Sequence, residues 1–179
     1  MAWTAPMTAI ANSAFTAAQF NLHVRDNLNE TAPAKATTAG RLFVSTGPNS
    51  IAEREIRDAT VATSQTTTST SFTDLATAGP EAASVTTGVR AVVWLTAHLI
   101  NNTVTAACVM GYAVSGATTT AANDSDSLAF EFPTANLAIR ASWIGFATLT
   151  AGVNTFTAKY RVTAGTGTFI GRRLAVIAL

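Results

Sequence analysis

Asn154-Thr-Phe-Thr-Ala-Lys-Tyr-Arg-Val162 decides the fold class. Phe156, Ala158, Tyr160 and Val162 alternate with Thr157, Lys159 and Arg161, a period of two that sets one strand face on a core and the other in water. The same reading extends both ways. Candidate strands are 72–76, 82–86, 90–100, 104–114, 127–132, 137–149, 154–162 and 168–178, separated by turn chemistry such as Gly79-Pro80, Thr87-Gly88, Asn101-Asn102, Ser115-Gly116 and Ala164-Gly-Thr-Gly167. The 90–100 run is apolar on both faces, which predicts a central strand covered twice. The last run, 174–179, is apolar enough to belong inside a sheet or at an interface. About eight short strands with no helix signal between them predict a jelly-roll-like β-sandwich over 72–179, and a mainly β chain.

Upstream the pattern changes. Thr16 and Gln19 form a T-x-x-Q capping box, and Phe15 and Phe20 take the N′ and N4 positions of a hydrophobic staple. Phe20, Val24 and Leu28 recur at i, i+4 and i+8, so a short helix is expected at about 17–29, with Pro33 as its stop. A helix that short is marginal alone and must pack on something. Leu42 and Val44 alternate with Arg41, Phe43 and Ser45, and Gly47-Pro-Asn-Ser50 is a turn, so a β-hairpin is expected at about 41–56. Residues 62–71 (Ala-Thr-Ser-Gln-Thr-Thr-Thr-Ser-Thr-Ser) read either as a Thr/Ser-rich linker or as an extended β-edge. The chain thus divides into an N-terminal region, 1–61, a boundary at 62–71, and a β-domain, 72–179.

Composition narrows the function classes. Of 179 residues only 12% are charged, against about 25% in an average domain, and the net charge is +1. Ala and Thr together exceed a third of the chain. No basic face is available to displace counterions, so no nucleic-acid partner is expected, Arg172-Arg173 being too small a cluster. No apolar run approaches the 18 or so residues that span a bilayer, so no membrane partner is expected. Met1-Ala-Trp-Thr-Ala-Pro6 has neither a basic n-region nor an apolar h-region, which argues against a secretory signal and for synthesis in a cytoplasm. A surface so poor in charge is a solubility hazard for a free monomer, and points to burial against other copies of the chain.

Raw material for catalysis is equally thin. Cys108, the only cysteine, lies in an apolar run and reads as a buried, inert thiol. His23 and His98 have no flanking nucleophile motif, and no G-x-S-x-G occurs. Asn123, Asp124 and Asp126 offer oxygen ligands in a loop, but neither their spacing nor a following Glu matches a calcium loop. With Glu131 they are the only carboxylates that suggest a glycosidase pair, and no aromatic sugar platform accompanies them. Trp94 and Trp143 sit mid-strand and are expected in the core. Trp3, near the chain start, is expected to anchor into a partner. No phosphate loop is present, and no catalytic residue, metal or cofactor is expected.

Phe15-Thr-Ala-Ala-Gln-Phe-Asn-Leu-His-Val-Arg-Asp-Asn-Leu-Asn-Glu-Thr-Ala-Pro33, followed by Ala34-Lys-Ala-Thr-Thr-Ala-Gly40 and the Ser45-Thr-Gly47…Ile51-Ala-Glu-Arg54 hairpin, resembles a recurring opening of tailed-bacteriophage structural proteins. These are minor tail, fibre and head-fibre proteins, especially of actinobacterial phages. The stretch 154–177 resembles the distal β-domain that often follows. The resemblance implies a non-enzymatic virion component, usually homotrimeric, whose N-terminal part attaches to other virion proteins of the tail or capsid while the β-domain projects. On that reading Trp3, Phe15, Phe20, Val24 and Leu28 carry subunit or virion contacts. The alternative is a receptor-binding adhesin that takes host-surface glycan through a loop at 118–126, including Asn123, Asp124 and Asp126.

Overall fold

The computed structural model describes residues 4–8 and 10–179. Trp3 therefore lies outside the described residues. The chain divides into two units, Met1–Glu55 and Ile56–Leu179.

In the first unit the helix forms where the caps put it. α1 (Ala17–Phe20) starts at Thr16, whose side chain accepts from the Gln19 amide while Gln19 reaches back to the Thr16 N–H, the complete capping box. Phe15 and Phe20 meet edge to face with ring centroids 6.1 Å apart, which realises the staple. The helical path then widens into a π turn, Asn21–Arg25, closed by the Asp26 N–H on the Asn21 carbonyl, and resumes as α2 (Asp26–Asn29). Pro33 does not end the helix directly. It opens a further single turn, α3 (Ala32–Lys35), because a missing N–H costs nothing in a first turn. β1 (Leu42–Gly47) and β2 (Ser50–Arg54) form the hairpin, and Asn49 takes the left-handed conformation in its turn. The Glu53 carboxylate accepts from the Thr37 amide, the Thr37 hydroxyl and the Thr38 amide, which fixes the approach to the hairpin. Those bonds, chiefly the Thr37 hydroxyl's, hold the Glu53 carboxyl below its ordinary range.

The second unit is mainly β, a jelly-roll-like sandwich of two packed sheets. One sheet has the order β5 (Glu81–Thr87), β10 (Gly152–Val162), β7 (Ala107–Gly116), β8 (Leu128–Glu131). The other runs β3 (Ile56–Val61), β11 (Gly167–Ala178), β6 (Arg90–Asn101), β9 (Ala138–Thr148), with β4 (Gln65–Thr67) also on the β11 edge. Every named pairing is antiparallel. Phe156, Ala158, Tyr160 and Val162 are fully buried, as their alternation requires. They face Val93, Leu95, Leu99, Phe169, Leu174 and Val176 across one continuous core.

Three expectations need correction. The stretch 62–71 is not a plain linker: Gln65–Thr67 pairs with Phe169, Thr168 and Gly167, so the extended-edge reading holds there. Residues 56–61, assigned to the N-terminal region, form β3 on the same strand, and the division falls after Glu55. Both strands are held by backbone pairing on β11 more than by side-chain burial, so they leave little apolar periodicity to read. Conversely, 72–76 is no strand. Leu75 is its one buried apolar side chain, and its backbone meets the sheet at the isolated bridge Thr73 to Tyr160.

Candidate interaction surfaces

Sequence alternation sends β6 side chains to two faces. Ala91, Val93, Leu95, Ala97 and Leu99 are fully buried, whereas Val92, Trp94, Thr96, His98 and Ile100 point away from the core. The run is apolar on both faces, but only one face is covered by the described residues. Trp94 is therefore not a core residue: it is 51% exposed. Trp143, on the opposite phase of β9, does pack on the core beside Tyr112, with ring centroids 6.1 Å apart.

The register lines up the outward residues in rows. Ile56, Ile177, Val92 and Phe146 form the first row, one from each of four strands. Asp58, Ala175, Trp94 and Ile144 form the second, and Thr60, Arg173, Thr96 and Ser142 the third. Seven of the eight residues in the first two rows are apolar. Ile144 is 63% exposed and Phe146 60% exposed. Between the rows runs a shallow groove of about 540 Å³ along Trp94. A 2.5 Å ion pair ties Arg173 of the polar third row to Asp58 of the second, and within the third row the Thr96 and Ser142 hydroxyls lie 3.2 Å apart. The Arg90 guanidinium stacks over the Phe146 ring at 5.2 Å.

The N-terminal helix presents a second apolar surface. Phe15, Phe20 and Leu28 are exposed and Val24 is half-buried, and Leu22 joins them because the π turn alters the phase of the stripe. Asn27 gave no signal in the sequence, yet it is the buried residue of this helix. Its side chain accepts from the Thr4 amide at 2.8 Å and donates to the Thr4 and His23 carbonyls at 3.0 Å. The His23 ring contacts the Ala5 carbonyl at 3.1 Å. The Thr4–Ala5 segment is thus laced to the helix by polar groups, which no hydrophobic period could reveal.

The loop residues are occupied with one another. Asn123 accepts from the Asp126 amide and donates to its carboxylate, while Asp124 binds Arg161 at 2.8 Å. Glu131 ends β8 opposite Ala107. Tyr112, Thr120, Asn123 and Asp126 line a hollow of about 210 Å³, below the ~300 Å³ lower end of ordinary ligand sites. Among the described residues no group of three or more His, Cys, Asp or Glu side chains is placed to hold a metal ion. Also among them, no helix is long and apolar enough to cross a membrane.

Burial pushes the Cys108 thiol up to about 11, and its sulfur sits 3.3 Å from the Ile100 carbonyl. The Arg172-Arg173 pair separates completely. A bulge at Ile170 to Arg173, with Gly171 left-handed, puts Arg172 in phase with Leu174 and Val176, fully buried over the Tyr160 ring at 5.2 Å. Asn154, also fully buried, accepts from the Thr118 amide and donates to the Thr87 hydroxyl and the Thr150 carbonyl.

No protein-family model matches the chain, and no curated protein sequence matches it. Among solved structures it is similar to Eiger TNF from S. frugiperda, at 11% identity and a TM-score of 0.46, over 70% of this chain and 94% of that one. It is also similar to the infectious bursal disease virus Gx strain structure, at 11% identity and a TM-score of 0.44, over 75% of this chain but only 35% of that one.

Proposed function

We propose that this chain is a non-enzymatic structural component of a tailed-phage particle, a minor tail, fibre or decoration protein present as a homotrimer. Residues 1–55 attach it to other virion proteins and the sandwich projects outward. One observation carries the reading: large apolar side chains stand exposed in organised sets on both units, in a chain with 12% charge. Such surfaces are stable in water only when something covers them. The resemblance of 15–54 to the openings of phage structural proteins supports assigning attachment to the first unit. The loop at 118–126 supports a glycan-binding role poorly, because its carboxylates already hold Asn123 and Arg161.

Gold-labelled antibody against the purified protein tests this on intact particles of the encoding phage. Label at a fixed position on tail or capsid is the expected result. Particles that carry their other structural proteins but no label overturn it.

A further inference from the structure

We infer that copies of this chain meet through the outer face of the β3–β11–β6–β9 sheet, centred on Trp94, Ile144 and Phe146. The inference rests on the assembly role proposed above and names the surface that performs it.

The face has the anatomy of an interface. Its centre is aromatic and aliphatic, the two rows from Ile56 to Phe146 and from Asp58 to Ile144. Its margin is polar, with Thr60, Thr96, Ser142 and Arg173, then His98 opposite Arg140. Size agrees as well. Strands of 6, 12, 12 and 11 residues, about 4.8 Å apart and rising about 3.3 Å per residue, present on the order of 650 Å² in flat projection. Side-chain relief brings that near the ~800 Å² of accessible surface that one partner contributes to a standard interface.

The charges favour a second copy as the occupant. Both signs lie on the face, in Asp58, Arg140 and Arg173, and the chain's net charge of +1 gives two copies almost no long-range repulsion. A strongly basic partner finds only Asp58, already paired with Arg173, and a strongly acidic one only Arg140 and the margin's Arg90 beyond that pair. The edge of β9 adds a second reason. Among the described strands β9 pairs only with β6, so eleven residues of backbone border Ile144 and Phe146, two large apolar side chains exposed on this face. A neighbour seated on this face shields both the side chains and that edge, which a soluble protein otherwise leaves open to uncontrolled pairing.

Light scattering of the full-length protein tests the assignment. The wild type is expected at a small whole multiple of 18.5 kDa. Ile144→Asp with Phe146→Asp is expected to give the monomer mass with an unchanged far-ultraviolet spectrum, since both side chains are exposed. Trp94→Ala, which introduces no charge, is expected to raise the dissociation constant tenfold or more and covers the case in which the double variant misfolds. Phe43→Asp, exposed on the hairpin, is expected to leave the mass unchanged. A monomeric wild type overturns the inference. So does an oligomer that survives both sheet variants, or one that dissociates with Phe20→Asp and Leu28→Asp instead. Failure of particle labelling alongside dissociation by Ile144→Asp and Phe146→Asp would remove the virion role and leave this interface standing.

Discussion

Arg172 is a buried charge with few partners, and replacing it separates packing from electrostatics. Its guanidinium donates to the Gln65 side-chain oxygen at 2.8 Å and reaches the Thr77 carbonyl only at 3.5 Å, while its Nε has no hydrogen-bond partner. Among the described residues no carboxylate forms an ion pair with it. Dehydrating such an ion costs several kcal/mol. Against that stand one charged hydrogen bond, about 1.5–3 kcal/mol, and the stack on Tyr160, about 1–2 kcal/mol. The opposing contributions nearly cancel. Arg172→Met keeps most of the stem that fills the core, and it orphans little, because Gln65 retains two bonds to Thr77, at 2.7 and 3.1 Å. Stability should then stay within about 1 kcal/mol of wild type or rise by ~1–2 kcal/mol, as buried ions replaced by apolar groups commonly do. Arg172→Ala opens a cavity and should cost about 3 kcal/mol. Arg172→Lys keeps the charge but loses the planar stack and fork, and should cost at least about 2 kcal/mol. Urea titration followed by tryptophan fluorescence gives the three values, at one protein concentration because association raises apparent stability. A Met variant as unstable as the Ala variant, or a Lys variant equal to wild type, refutes the reasoning.

Other expectations follow from single buried groups. Asn154→Ala removes three hydrogen bonds that join Thr118, Thr87 of β5 and the Thr150 carbonyl, and strands the Thr118 amide. A loss of about 2–3 kcal/mol is expected, or roughly 6–15 °C in the Tm of a unit of about 120 residues, read by calorimetry; a loss under about 0.5 kcal/mol contradicts the clasp. Alkali should weaken the sandwich. Cys108 and Tyr112 are pushed by burial to about 11 and about 12, from ordinary values of 9.0 and 10.0. The unfolded chain releases these protons first, so their stabilisation is intact below pH 9 and disappears as pH rises through 11 to 12, on the order of 2 kcal/mol for each group. Equal urea midpoints at pH 8 and pH 10.5 contradict it. The same burial predicts that a thiol reagent at pH 8 reacts with Cys108 only in urea. Asn27→Ala should release the 4–8 segment from the helix and speed its proteolysis severalfold, with the sandwich's Tm unchanged.

The parts of the fold that were legible are those where one residue type has one physical use. Thr16 and Gln19 announce a helix start because only a capping box satisfies both groups at once. Phe156 to Val162 announce a strand because their period admits one buried face. β3 stayed unreadable and β4 was legible only as one of two readings of 62–71, since both are held by the backbone of β11, which leaves little trace in side-chain chemistry. Arg172 and Asn154 were unreadable for the opposite reason. Their burial is permitted by partners 107 and 67 residues away; adjacency to Arg173 disguised the one, and the other is the first residue of the candidate strand 154–162, ahead of its apolar alternation.

The outer sheet face is the instructive case. Two apolar faces on β6 led to the expectation of two covers, and that physics is sound: Val92, Trp94 and their neighbours are too apolar to face water unaided. The error lay in assuming that both covers belong to the same chain. A sandwich has two sheets and needs two inner faces, and these supply the whole core. A third apolar face is therefore surplus to folding. Selection for solubility would remove it by placing Lys or Glu at positions such as 94, 144 and 146, where exposed side chains tolerate substitution without loss of stability. In a chain with so few charges, three large apolar residues exposed on adjacent strands are what the proposed contact between copies would use. Under the proposed assembly, low charge and the surplus face have one explanation, a subunit made to be covered.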